Sequence, residues 1–199
     1  MIHDVDASLA ALIRAEALAG GEAEVVFDPP TKEWASRRHA PAVDVFLYDI
    51  REDVSRRDIS VNVIRDEDGN IIDRRPPPRR FQLSYLLTAW TRRPEDEHRL
   101  LSQLLGAFAK HDRIPDEHLY GQLADQPLAV ILKLALPMAE HRSISDLWTA
   151  LGGEMKPSLD LVVVAPLDPH RSYAAGPPVE DGVRIRLGSE NGLGGAEER

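Results

Sequence analysis

The chain has 199 residues, 43% of them apolar, and a formal net charge of −9. That length suffices for one substantial core. The absence of cysteine excludes disulfides, thiol nucleophiles and thiolate-ligated metals, and the net charge speaks against sequence-independent binding to a nucleic-acid backbone. No apolar run is long enough for a membrane span, and the first residues are acidic where a secretory leader is basic, so a cytoplasmic place of synthesis is expected.

In chain order, Val5, Leu9, Leu12 and Ile13 recur at helical spacing from Asp4 to about Ala19, with Gly20-Gly21 as the stop. Val25-Val26-Phe27 is a short strand closed by Asp28-Pro29-Pro30, and Thr31 to Pro41 lacks periodicity and reads as a loop, with Trp34 placed to dock on the core. Ala42 to Ile50 (AVDVFLYDI) is nearly continuous in apolar character and predicts a central strand covered on both faces. Ile59 to Ile64 and Ile71-Ile72 flank a turn containing Asp68-Gly69, which predicts a β-hairpin ribbon. Pro76-Pro77-Pro78, bracketed by arginines, cannot donate ladder hydrogen bonds and reads as an extended connector.

Phe81 to Trp90 alternates as the longest strand, with Phe81, Leu83, Tyr85, Leu87 and Ala89 on one side. The next segment, 94–112, starts with Pro94 and three acids and ends near Lys110 and His111, an arrangement that suits the helix dipole. A loop or short helix around Asp116 to Leu123 precedes a buried strand over Leu128 to Leu136. A helix capped by Ser143 or Ser145 then stops at Gly152-Gly153, and Leu159 to Ala165 forms a last core strand. Val183 to Leu187 reads as an edge strand and Gly188 to Arg199 as a flexible tail. The order predicts an α/β (α+β) domain over residues 1–187: a mixed, largely antiparallel sheet flanked by two to three helices.

No convincing catalytic constellation emerges. His111, Asp112 and His118 are metal-ligand types and define a small metal-dependent hydrolase as one alternative, although no further histidines or acids share their spacing. At a helix C-terminus, His111 is more simply a partner of the dipole. Asp66 to Asn70 lacks the twelve-residue ligand spacing of a calcium loop, and the glycines at 192–195 follow no strand and open no helix. No cofactor site is expected.

Charge is unevenly spread. Residues 51–80 hold eight arginines against seven acids, whereas residues 1–28 hold Arg14 against six acids. Such asymmetry sets register and partner choice between proteins, so Arg56, Arg57, Arg74, Arg75, Arg79 and Arg80, with the turn at Asp68 and Gly69, are the candidate interface residues. A soluble adaptor binding another protein through the arginine and proline connector is a second alternative.

Several segments in this order resemble the tube-cap, or tail-terminator, family of contractile injection systems. They are Ser8 to Arg14 (SLAALIR), Leu47 to Asp53 (LYDIRED), Arg80 to Trp90 (RFQLSYLLTAW), Glu95 to Leu105 (EDEHRLLSQLL), Leu147 to Gly153 (LWTALGG) and Lys156 to Leu159 (KPSL). The resemblance spans roughly residues 3–187. It implies a phage terminator-like fold and a non-catalytic subunit that closes the end of the inner tube as a homo-oligomeric, hexameric ring. It further implies contacts with the inner tube protein and the last sheath ring, no nucleic-acid or membrane partner, and a place in a particle released by lysis.

Overall fold

A computed structural model describes residues 1–21, 23–136, 143–169 and 172–174. These residues fall into two compact units, one built from the described residues of 1–60 and 77–169, the other from Val61–Pro76 and residues 172–174.

The first unit is organised by a five-stranded sheet in the order β1-β2-β5-β7-β6, formed by β1 (Glu24–Val26), β2 (Ala42–Glu52), β5 (Arg79–Trp90), β6 (Ile131–Leu134) and β7 (Ser158–Leu167). Only β1 and β2 run parallel; the other neighbours are antiparallel, so the expected mixed, largely antiparallel sheet is present. The alternation in β5 sends Leu83, Tyr85, Leu87 and Ala89 to the face that meets helices α1 (Ile2–Leu12) and α3 (Pro94–Phe108). Val5, Leu9 and Leu12 of α1 and Leu100, Leu104 and Phe108 of α3 complete that core with Val43, Val45, Leu161 and Val163. Complete burial of each leucine contributes on the order of 1.5–3 kcal/mol. Ser84, Leu86 and Thr88, which point the other way from β5, are buried as well.

The structure departs from the expected elements at definable places. The first helix loses its α register at Leu12 and finishes as a π-helical turn over Ile13–Ala17, where the Leu18 amide donates to the Ile13 carbonyl. The stretch expected to be a loop contains a short helix, α2 (Lys32–Arg37), whose start is fixed by the Thr31 hydroxyl accepting from the Trp34 amide. The strand expected at the centre, β2, lies second in the sheet, and β5 holds the central position. Because β1 spans only three residues, β2 is fully buried in its first four residues and opens to solvent toward Ile50. A bulge at Tyr48 re-aims that side chain, whose hydroxyl donates to Asp160 on β7 at 2.5 Å. The strand expected over Leu128 to Leu136 is the short edge strand β6. Helix α4 (Ile144–Leu151) follows expectation: Ser143 caps it, and Gly152 ends it in the left-handed conformation.

The second unit is a three-stranded antiparallel sheet, β3 (Asn62–Arg65), β4 (Ile71–Arg75) and β8 (Tyr173–Ala174), in that order. The expected hairpin is therefore present. The strand expected at Val183 to Leu187 and the tail expected over residues 188–199 lie outside the described residues. Among the described residues no helix is long and apolar enough to cross a membrane.

Candidate protein interface

The hairpin turn is built by Asp66. Its amide donates to the Asn70 carbonyl (2.9 Å), its carbonyl accepts from the Gly69 amide (3.1 Å), and its carboxylate accepts from the Asn70 amide (2.8 Å) and side-chain NH2 (3.3 Å). Gly69 has φ +85°, a conformation that glycine adopts without steric cost. The Arg65 guanidinium closes the turn by donating to the Gly69 carbonyl at 2.7 Å. Asp68 and Gly69 thus stand at an exposed tip.

Below the tip, Arg74 registers against Val63 on one side and Tyr173 on the other, and Ile72 lies two residues away on the same face. Val63, Ile72 and Tyr173 are all exposed, so this face is apolar around one arginine. Arg75 points to the opposite face, where its guanidinium meets Asp73 at 3.0 Å. The outer edge of β3 pairs with no strand among the described residues. An open edge with β-branched side chains is a template for strand addition.

In the first unit, Arg57, Arg79 and Arg56 gather around Glu52 and Asp53, beside the Arg80 backbone. Arg57 grips Glu52 with two hydrogen bonds of 2.8 and 2.6 Å, and Arg79 approaches the same carboxylate at 3.8 Å. The Arg57 hydrogen bond holds the Glu52 carboxyl below its usual range. Arg56 lies 3.8 Å from Asp53, whose amide donates to the Arg80 carbonyl. Asp53 titrates low, chiefly because the Ser55 hydroxyl donates to it at 2.6 Å. Arg56, Arg57 and Arg79, candidate interface residues in the sequence, are thus met by acids within the same arginine-rich segment.

The metal-site alternative is not assembled. Among the described residues no three His, Asp or Glu side chains come together as a metal requires. His111 follows the end of α3, and its Nε2 lies 2.6 Å from Glu16 of the π-helical turn, with Lys110 at 3.2 Å from the same carboxylate. Burial acts to raise the Glu16 pKa and is outweighed by these two partners, so the carboxyl titrates low. His111 thus ties the end of α3 to the π-helical turn.

Two features escaped the sequence reading. The first is an aromatic stack at the end of β5: Trp34 of α2 meets Trp90 edge-on, with ring centres 5.2 Å apart and planes at 80°. Arg38 covers Trp34 at 5.1 Å, and the Lys156 ammonium covers Trp90 at 3.9 Å. Lys156 also donates to the Ala89 carbonyl (2.9 Å) and to Glu97 (2.6 Å). A capping threonine after Pro29-Pro30, with Glu33 and Arg37 four apart, was the available signal for α2. The second is Asp44, fully buried in β2 beside Val26 of β1 and opposite Thr88 of β5, with no hydrogen-bond partner for either oxygen. Burial, reinforced by the Asp28 carboxylate, pushes its pKa up to about 8, and the nearby amides of Val45 and Asp28 temper the rise without closing a hydrogen bond.

Residues 4–181 match the model of the Pvc16 N-terminal domain. The chain belongs to the Pvc16 N-terminal domain family. Two solved structures share the fold. The PVC sheath/tube terminator of an extracellular contractile injection system, in its extended state, superposes with a TM-score of 0.70 at 20% identity over 96% of this chain. The anti-feeding prophage cap, described as a tube-terminating cap, superposes with a TM-score of 0.66 at 21% identity over 93% of this chain. The chain spans 65% and 62% of the lengths of these two proteins. A comparison with curated proteins finds no match.

Proposed function

We propose that this chain is a non-catalytic tail terminator that caps the end of the inner tube of a contractile injection system as a ring of six copies and touches the last sheath ring. The observation that carries this reading is the likeness of nearly the whole chain to a sheath/tube terminator, with a TM-score of 0.70. The open β3 edge and the apolar face around Arg74 supply surfaces of the kind such a subunit uses to add strands and to pack against tube or sheath. In this reading one domain spans residues 1–187, the subunit is made in the cytoplasm, and it leaves the cell within a particle released by lysis. The test mixes the purified chain with the tube protein and counts subunits by mass photometry, with electron microscopy of the tube ends. Rings seated on tube ends are expected; a chain that stays monomeric and never joins tubes overturns the proposal.

A further inference from the structure

A cleft of about 460 Å³ opens where the loop after α2 meets the end of β5 and the start of α3. Its lining carries Arg38, His39, Arg92, Arg93 and Arg99 around the Trp90 ring, and Asp96 is the single acid among the lining residues. The walls are held in place. Trp90 is fixed by Trp34 edge-on, by Lys156 over its face and by its indole N–H donating to Thr88 at 2.8 Å. Arg38 is anchored by Glu24 at 2.9 Å. At the mouth Arg92 and Arg93 are the loosely met charges: Arg93 and Glu95 are 3.8 Å apart and both about three-quarters exposed, and Arg92 is exposed with no partner among the described residues. Preorganised arginines beside an indole suit carboxylates carried on a short, rigid turn.

The chain carries such a turn. At the hairpin tip Asp66 is committed to the turn itself, whereas Glu67 and Asp68 are exposed and have no partner among the described residues. Arg65 is the one positive charge there, and it is held on the Gly69 carbonyl. We propose that the Glu67-Asp68 tip of one copy docks into the Arg92-Arg93 cleft of the next. Each copy then offers one donor and one acceptor surface, a heterologous contact, which closes into a ring when the rotation between copies allows. This inference rests on the ring reading above and names the contact that builds the ring.

The test is a charge swap. One variant carries Glu67→Lys with Asp68→Lys, the other Arg92→Glu with Arg93→Glu; all four positions are exposed, and the fold of each variant is checked by circular dichroism. Mass photometry in the presence of tube protein is expected to show each variant at least about tenfold weaker in self-association, because close complementary charges are replaced by like ones. An equimolar mixture is expected to recover rings, since each tip then meets a cleft of opposite sign and an even-membered ring alternates the two. Either variant assembling alone like the wild type overturns the contact. Loss in both variants without recovery in the mixture also overturns it, by assigning the cleft to another partner such as the tube protein. A wild-type chain that itself remains monomeric overturns the ring reading, and this contact with it.

Discussion

Replacing Asp44 with asparagine removes a fully buried carboxyl that, unlike the ion-paired Asp4, has neither a hydrogen bond nor an ion pair on either oxygen among the described residues. The folded carboxyl keeps its proton up to about pH 8, whereas an unperturbed one releases it near 3.8. The folded state therefore binds more protons across that window; stability is complete below it and is lost as pH rises through it, levelling off once the folded group ionises. At roughly 1.4 kcal/mol per pH unit, the wild type is at a disadvantage of about 4 kcal/mol at pH 7 against a neutral side chain of the same shape, an upper bound that water entry would lower toward about 2 kcal/mol. Asp44→Asn is thus expected to raise the melting temperature at pH 7 by about 4–8 °C at the lower figure. Near pH 4 the two proteins should melt together. The assay is thermal unfolding of both proteins from pH 4 to 8.5, read as the difference between them. Parallel profiles across that range would refute the reasoning, because they would mean that Asp44 is ionised in the folded state or is hydrated.

Lys156→Met keeps the apolar stem but removes the ammonium from Trp90, the Ala89 carbonyl and Glu97, leaving Glu97 largely buried without its cation; a loss of about 3 kcal/mol in urea unfolding is expected. Gly121→Ala places a methyl 2.0 Å from the buried Asp4 carboxylate at φ +56°, and the melting temperature should fall by the equivalent of at least about 2 kcal/mol, whereas an unchanged melt would mean that the turn repacks without cost. Tyr85→Phe deletes the hydroxyl that donates to Asp6 at 2.7 Å, which denaturant titration should record as about 1–2 kcal/mol lost.

Elements whose signal is local were legible in the sequence. Pro94, the acids that follow it and the leucine repeat specify α3 within its own fifteen residues, the alternation of Phe81 to Trp90 specifies β5, and Asp68-Gly69 specifies the hairpin. What depends on distant partners was not. The AVDVFLYDI run reads as covered on both faces, but only three residues of β1 reach it, so its second half is open. Helix α2 has too few residues for a periodicity to show, and its tryptophan is placed by Trp90, which comes 56 positions later. His111 offered a ligand-like pattern with Asp112 and His118, yet its ring was taken by Glu16, 95 residues away. For the candidate interface, composition located the arginine-rich segment but not the use of Arg57 and Arg79 on Glu52. Arg92 and Arg93, beside the cleft, drew no notice because they belong to no motif.

The stack of Trp34 on Trp90 also gives the molecule an optical signature. Of its three tryptophans, Trp148 is almost completely buried, while the other two lie 5.2 Å apart and nearly perpendicular. Transition dipoles so close and so oriented couple into a paired positive and negative band in ultraviolet circular dichroism, a band that disappears if α2 swings away. Trp90 lines the arginine cleft as well. Carboxylates entering that cleft, as proposed for the tip of a second copy, would alter its emission, so the intrinsic fluorescence would report that contact without any dye.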